Sequence, residues 1–141
     1  SAIQDEEYVI VAPTMRFFYW RIAAASKTHY YVGRAYRRSV NIYDKFEIVP
    51  LPRTPHVHAA MQDANLQSFV SFSPLYRWEI SELPSGLTEV RLIDLRYRSN
   101  NRYPFVAVAH VNDNLEVVNS YTGWIFSEDK LQQKLQIGAS D

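Results

Sequence analysis

The chain has no cysteine among its 141 residues. That excludes a disulfide framework, a thiolate zinc site, an iron–sulfur cluster and a cysteine nucleophile. Only 4 residues are glycine, too few for a collagen-like repeat or a glycine-rich phosphate loop. No apolar run approaches the roughly 20 residues that span a bilayer as a helix. The most apolar windows, 8–12 and 105–109, have the length of strands. An excess of one charge is missing too, because 15 basic and 15 acidic side chains cancel to +0. G-x-S-x-G, H-E-x-x-H and Walker motifs are also absent.

What is present is aromatic. Tyr, Phe and Trp make up 14% of the chain and the hydrophobic share is 47%, which excludes a disordered or low-complexity protein. The length suits one domain, taken as 1–141. The start Ser1-Ala2 without Met reads as a cloning scar, so the chain is expected to be a C-terminal fragment of a longer protein.

Apolar alternation predicts strands over 7–12, 15–25, 30–38 and 40–49. Ser26 to His29 reads as a hairpin turn. Gly33, inside a strand, marks a bulge or a close backbone approach. The period then lengthens. Thr54-Pro55 is an N-cap signature, and Val57, Ala60, Met61 and Ala64 follow at helical spacing, so one helix is expected over 55–70. Strands follow from Tyr76, over 88–98, 103–111 and 115–124, with turns at 83–86 and 112–114. Ser127 caps a short C-terminal helix, and 137–141 is expected to fray. The expected fold is α+β: a mostly antiparallel sheet of about seven or eight strands, one central helix packed on it and a short C-terminal helix. A barrel plugged by the helix is the alternative.

Asp94 is the most informative polar residue. Period two puts it on the apolar face of Val90 and Leu92, together with Arg96. A carboxylate there must be paired or hydrogen-bonded. One reading is a buried ion pair; the other is a ligand-facing acid in a pocket between sheet and helix, with Arg96, Tyr97 and Arg21 as further ligand-binding residues. His56 and His58 form an H-x-H pair and are weak metal candidates, since residues i and i+2 on a helix do not face each other. A metal enzyme using His56, His58 and Asp94 is a third reading. No second carboxylate completes a catalytic pair, so no catalytic residue is assigned. His110 shares a strand face with Val106 and Val108, as a satisfied or edge histidine. Charge is uneven along the chain: Arg16, Arg21, Lys27, Arg34, Arg37 and Arg38 follow one another with no acid between them. Such arginines among aromatics suit anionic headgroups or a protein partner, while the pI near 6.9 argues against nucleic acid.

Three segments together resemble a known family. They are Ala12-Pro13 with Phe17-Phe18-Tyr19-Trp20-Arg21, then Tyr30-Tyr31-Val32-Gly33, then Asp94-Leu95-Arg96-Tyr97 with Tyr103-Pro104-Phe105. This resembles the C-terminal region of bacterial inner-membrane, metal-dependent hydrolases that carry a LexA-binding label. Trp20, Arg21, Tyr31, Gly33, Asp94, Arg96, Tyr97, Pro104 and Phe105 match that signature. The resemblance implies a parent in the bacterial inner membrane with N-terminal transmembrane helices, and a divalent metal held there. This domain would be soluble, on the cytoplasmic side, without cofactor, non-catalytic, and serving docking or regulation. Its expected partner is the N-terminal membrane region of the same protein.

Overall fold

The computed structural model describes residues 6–13 and 20–140, with side chains from 20 to 136. Where length alone suggests one domain, the chain divides into two compact units, Ser1–Pro50 and Leu51–Asp141.

The first unit is a four-stranded antiparallel meander of β1 (Glu6–Pro13), β2 (Trp20–Ser26), β3 (His29–Tyr36) and β4 (Ser39–Glu47). Residues 15–19 of the expected second strand, and residues 1–2, where a cloning scar is expected, lie outside the described residues. Ile22, Ala23, Ala24, Ala25 and Val32 are buried. At the β2–β3 turn the Ser26 hydroxyl accepts from the amides of Thr28 and His29 at 3.3 and 3.1 Å. The β3–β4 register shifts between Val32 and Gly33, the bulge that the glycine marks. A Cβ at Gly33 would lie 2.1 Å from the Asn41 carbonyl oxygen, so only glycine admits the neighbouring strand there.

The second unit opens with α1 (Pro55–Met61) and α2 (Ala64–Phe72). A second meander follows, of β5 (Tyr76–Glu82), β6 (Thr88–Asp94), β7 (Phe105–Val111) and β8 (Val117–Trp124), then α3 (Glu128–Ser140). The α+β class holds, but the one central helix is two. Thr54 caps α1, its hydroxyl accepting from Val57 N at 3.3 Å. Asp63 then starts a new helix, its carboxylate accepting from the amides of Asn65 and Leu66 at 2.9 and 3.4 Å. The cap is tied to the sheet, because Ser120 Oγ donates to Asp63 at 3.1 Å and accepts from Asn65 at 2.8 Å. The expected strand over 88–98 stops at Asp94. The expected frayed end instead belongs to α3, which runs to Ser140.

Side-chain alternation gives this sheet two apolar faces. Val90, Leu92, Ala107, Ala109 and Val111 pack under Val57, Ala60, Leu66 and Phe69 of α1 and α2. The opposite positions, Ile93, Val106 and Val108, pack under Leu131 and Leu135 of α3. Each large aliphatic side chain buried this way contributes about 1.5–3 kcal/mol. Phe69 also stacks on Phe105 at 5.5 Å and meets Tyr76 edge-on at 5.8 Å.

Candidate functional site

Asp94 ends β6 and is 0% exposed. Ser73 Oγ, just past α2, donates to its Oδ2 at 2.6 Å. Arg96 donates from Nη2 to Oδ2 at 2.8 Å, from Nε to Oδ1 at 3.1 Å, and from its backbone amide to Oδ1 at 2.8 Å. The Asp94 bonds hold the Arg96 pKa above the ordinary arginine value, against a smaller effect of burial. The guanidinium lies between two rings, 4.9 Å from the Phe72 centroid and 5.0 Å from that of Tyr97, and reaches the Phe72 carbonyl at 3.3 Å. Asp94 thus fastens the end of α2 and the chain after β6 to the sheet.

This geometry overturns the pocket between sheet and helix. The space beneath α1 and α2 is filled by side chains of the core, and the Asp94 carboxylate is occupied by Ser73 and Arg96. Tyr97 packs on Phe105 and Trp124 at 5.9 and 4.8 Å. Arg21 lies on β2 of the other unit, opposite Arg34. His56 and His58 both lie on α1, half-buried and exposed respectively. Among the described residues no group of three or more His, Asp or Glu side chains could hold a metal, so the reading of His56, His58 and Asp94 as a metal enzyme has no geometric support.

A second buried polar group escapes sequence reasoning. Glu89 on β6 stands opposite His110 on β7, with His110 Nε2 and Glu89 Oε2 2.9 Å apart. Arg91 bridges Glu89 at 3.0 Å and Glu128, in the first turn of α3, at 2.9 Å. The His110 hydrogen bond holds the Glu89 carboxyl below the usual glutamate value, with Arg91 adding to it and burial opposing. For Arg91 burial is the largest single influence and acts downward, yet Glu89 and Glu128 together raise its pKa. Period two already puts His110 with Val106 and Val108; the signal for its partner would have been the β6–β7 register.

Two surfaces among the described residues bear on binding. The β3–β4 hairpin exposes Tyr36, Arg37, Arg38 and Val40 at its tip. Arg37 adopts a left-handed backbone with φ 55° and lies 5.4 Å over the Tyr36 ring. Along the same strands Arg34 lies over Tyr43 and Lys45 over Tyr31. In the second unit a cleft of about 570 Å³ opens beside α1, with Leu51, Val57 and Met61 in its wall and Arg53 and His58 at its edge.

The fold is therefore that of a two-unit α+β protein. Comparison with known proteins gives it a family. The YfhP middle domain matches residues 4–46, and the YfhP C-terminal alpha/beta plait domain matches residues 55–135, more than half of the chain. The chain belongs to the YfhP family. It is 52% identical over 138 residues to a Bacillus subtilis (strain 168) protein described as uncharacterized protein YfhP. That alignment covers 97% of this chain and 42% of the relative, so the chain spans about two fifths of the relative's length. No solved structure matches.

These matches correct the sequence resemblance. Both domain matches are to YfhP domains and neither is to a membrane-bound metal-dependent hydrolase, so that assignment and the hydrolase function drawn from it fall. The motifs that suggested it are short segments rich in Tyr, Arg and Phe. Among the described residues no helix is long and apolar enough to cross a membrane.

Proposed function

We propose that the chain is a binding module whose first sheet docks on anionic phospholipid headgroups through the β3–β4 hairpin. The observation that carries this reading is the tip itself. Arg37 and Arg38 are adjacent, exposed and without an ion pair among the described residues, and Tyr36 and Val40 flank them with exposed apolar surface. A guanidinium over a tyrosine ring keeps its full charge, because the ring carries a quadrupole and no net charge. No Asp or Glu occurs between Tyr8 and Tyr43, a stretch that carries six cations. Tyr36 and Val40 suit the interfacial layer, where an amphipathic ring keeps its hydroxyl wet and its body apolar.

Each cation at an anionic leaflet contributes about 1 kcal/mol. The double variant Arg37→Gln with Arg38→Gln should therefore lower partitioning by about 2 kcal/mol, roughly thirty-fold. Sedimentation with phosphatidylglycerol-containing vesicles, against pure phosphatidylcholine, reads this directly. Binding should need the anionic lipid and fade as salt rises. Equal recovery with both vesicle types, or none with either, removes the proposal and leaves a protein partner as the docking surface's target.

A further inference from the structure

The cleft beside α1 has no part in that docking. We infer that it binds a small amphipathic anion, an apolar body carrying one carboxylate or phosphate group. Its volume of about 570 Å³ lies in the range of small-molecule sites. Leu51, Val57 and Met61 give it an apolar wall, and the unbranched thioether of Met61 adapts to the shape of what enters. Arg53 and His58 stand at its edge, and no acidic side chain lines it.

Arg53 differs from its neighbours. Within the second unit Arg77, Arg91 and Arg96 each pair with a carboxylate, while Arg98 donates to Asn101 and Arg102 to the Phe126 carbonyl. Arg53 makes no hydrogen bond or ion pair among the described residues, and neither does the His58 side chain. A planar guanidinium with every N–H unused, set above an apolar wall, fits a carboxylate or phosphate bidentately. The imidazole of His58 supplies a further polar contact, and the wall gives the ligand's apolar body a surface to pack on.

Octanoate and octyl phosphate serve as probes, with octanol as the neutral control, titrated calorimetrically into the whole 141-residue chain. At least one anion should bind at a single saturable site, about ten-fold or more tighter than octanol, as expected for a charge-assisted hydrogen bond. Binding of octanoate alone assigns a carboxylate ligand, and of octyl phosphate alone a phosphate ligand. Arg53→Gln, on an exposed side chain, should weaken that binding about ten-fold without altering the near-ultraviolet dichroism. Met61→Trp should fill the cleft and abolish it. If that variant misfolds, perturbation of the Met61 methyl and His58 ring resonances by the probe in the parent chain locates the site. Binding of neither anion, equal binding of octanol, or full affinity in Arg53→Gln overturns the inference.

Discussion

The two sheets share one topology and differ in how they answer charge. Both are four-stranded meanders. In the second, cations meet acids: Arg77 with Glu79, Arg91 with Glu89 and Glu128, Arg96 with Asp94. In the first, Arg37 and Lys45 meet tyrosine rings. A carboxylate neutralises its partner and lets the pair be buried under a helix. A ring holds a cation in place and leaves its field pointing outward. Arg96 with Asp94 and Arg91 with Glu89 are thus largely buried in the second unit, while Arg37 stays exposed in the first.

Removing the Asp94 carboxylate should break this contrast most strongly. Asp94→Ala leaves Arg96 and Ser73 without their partner at a buried position and should cost about 3 kcal/mol or more. Urea unfolding should show the loss in a transition reported by Trp78 and Trp124, while signals from the first unit keep theirs. A shared shift of both transitions would mean the two units unfold together. Next comes Gly33→Ala. The added methyl meets the Asn41 backbone, which must move, so about 1–3 kcal/mol should be lost from the first unit alone. Hydrogen exchange of the β3 and β4 amides checks that directly.

The smallest effect is on acid sensitivity. The folded Glu89 pKa lies below its unfolded value, so the group contributes stability above the unfolded pKa. That contribution is lost as pH falls through the folded pKa. Glu89→Gln should flatten the stability curve on that acid side and leave the first unit's titration unchanged. An unaltered acid limb in the variant would show that His110 and Arg91 do not hold Glu89 in its charged form.

Much of the fold is legible in the residue pattern, for definite reasons. Alternation puts Val90, Leu92 and Asp94 on one face because a strand has a period of two, and the structure keeps them there. Gly33 announces its bulge because no Cβ fits. The helix break escapes because Val57, Ala60 and Ala64 keep helical spacing across it, while Asp63 restarts the helix as a cap. The partners of the polar groups escape for another reason. Ser73 reaches Asp94 across 21 residues, and Glu89 meets His110 across the same separation. Periodicity gives a residue's face and not its cross-strand neighbour, which only the register decides. The cleft at Arg53 escapes as well, since nothing in a Pro-rich connection says that an arginine there stays unpaired.

The meander order has a consequence for synthesis. Among the described residues every sheet pairing joins strands consecutive in sequence, so each ladder can close as soon as its second strand emerges. Pairings between neighbours in sequence carry less closure entropy than long-range ones and favour rapid folding. On the ribosome, where chains fold from the N-terminus as they are made, the four described strands β1–β4 are all present before α1 is translated. Its strand pairing never has to wait for the second half of the chain, and an error in the later half need not undo the earlier one.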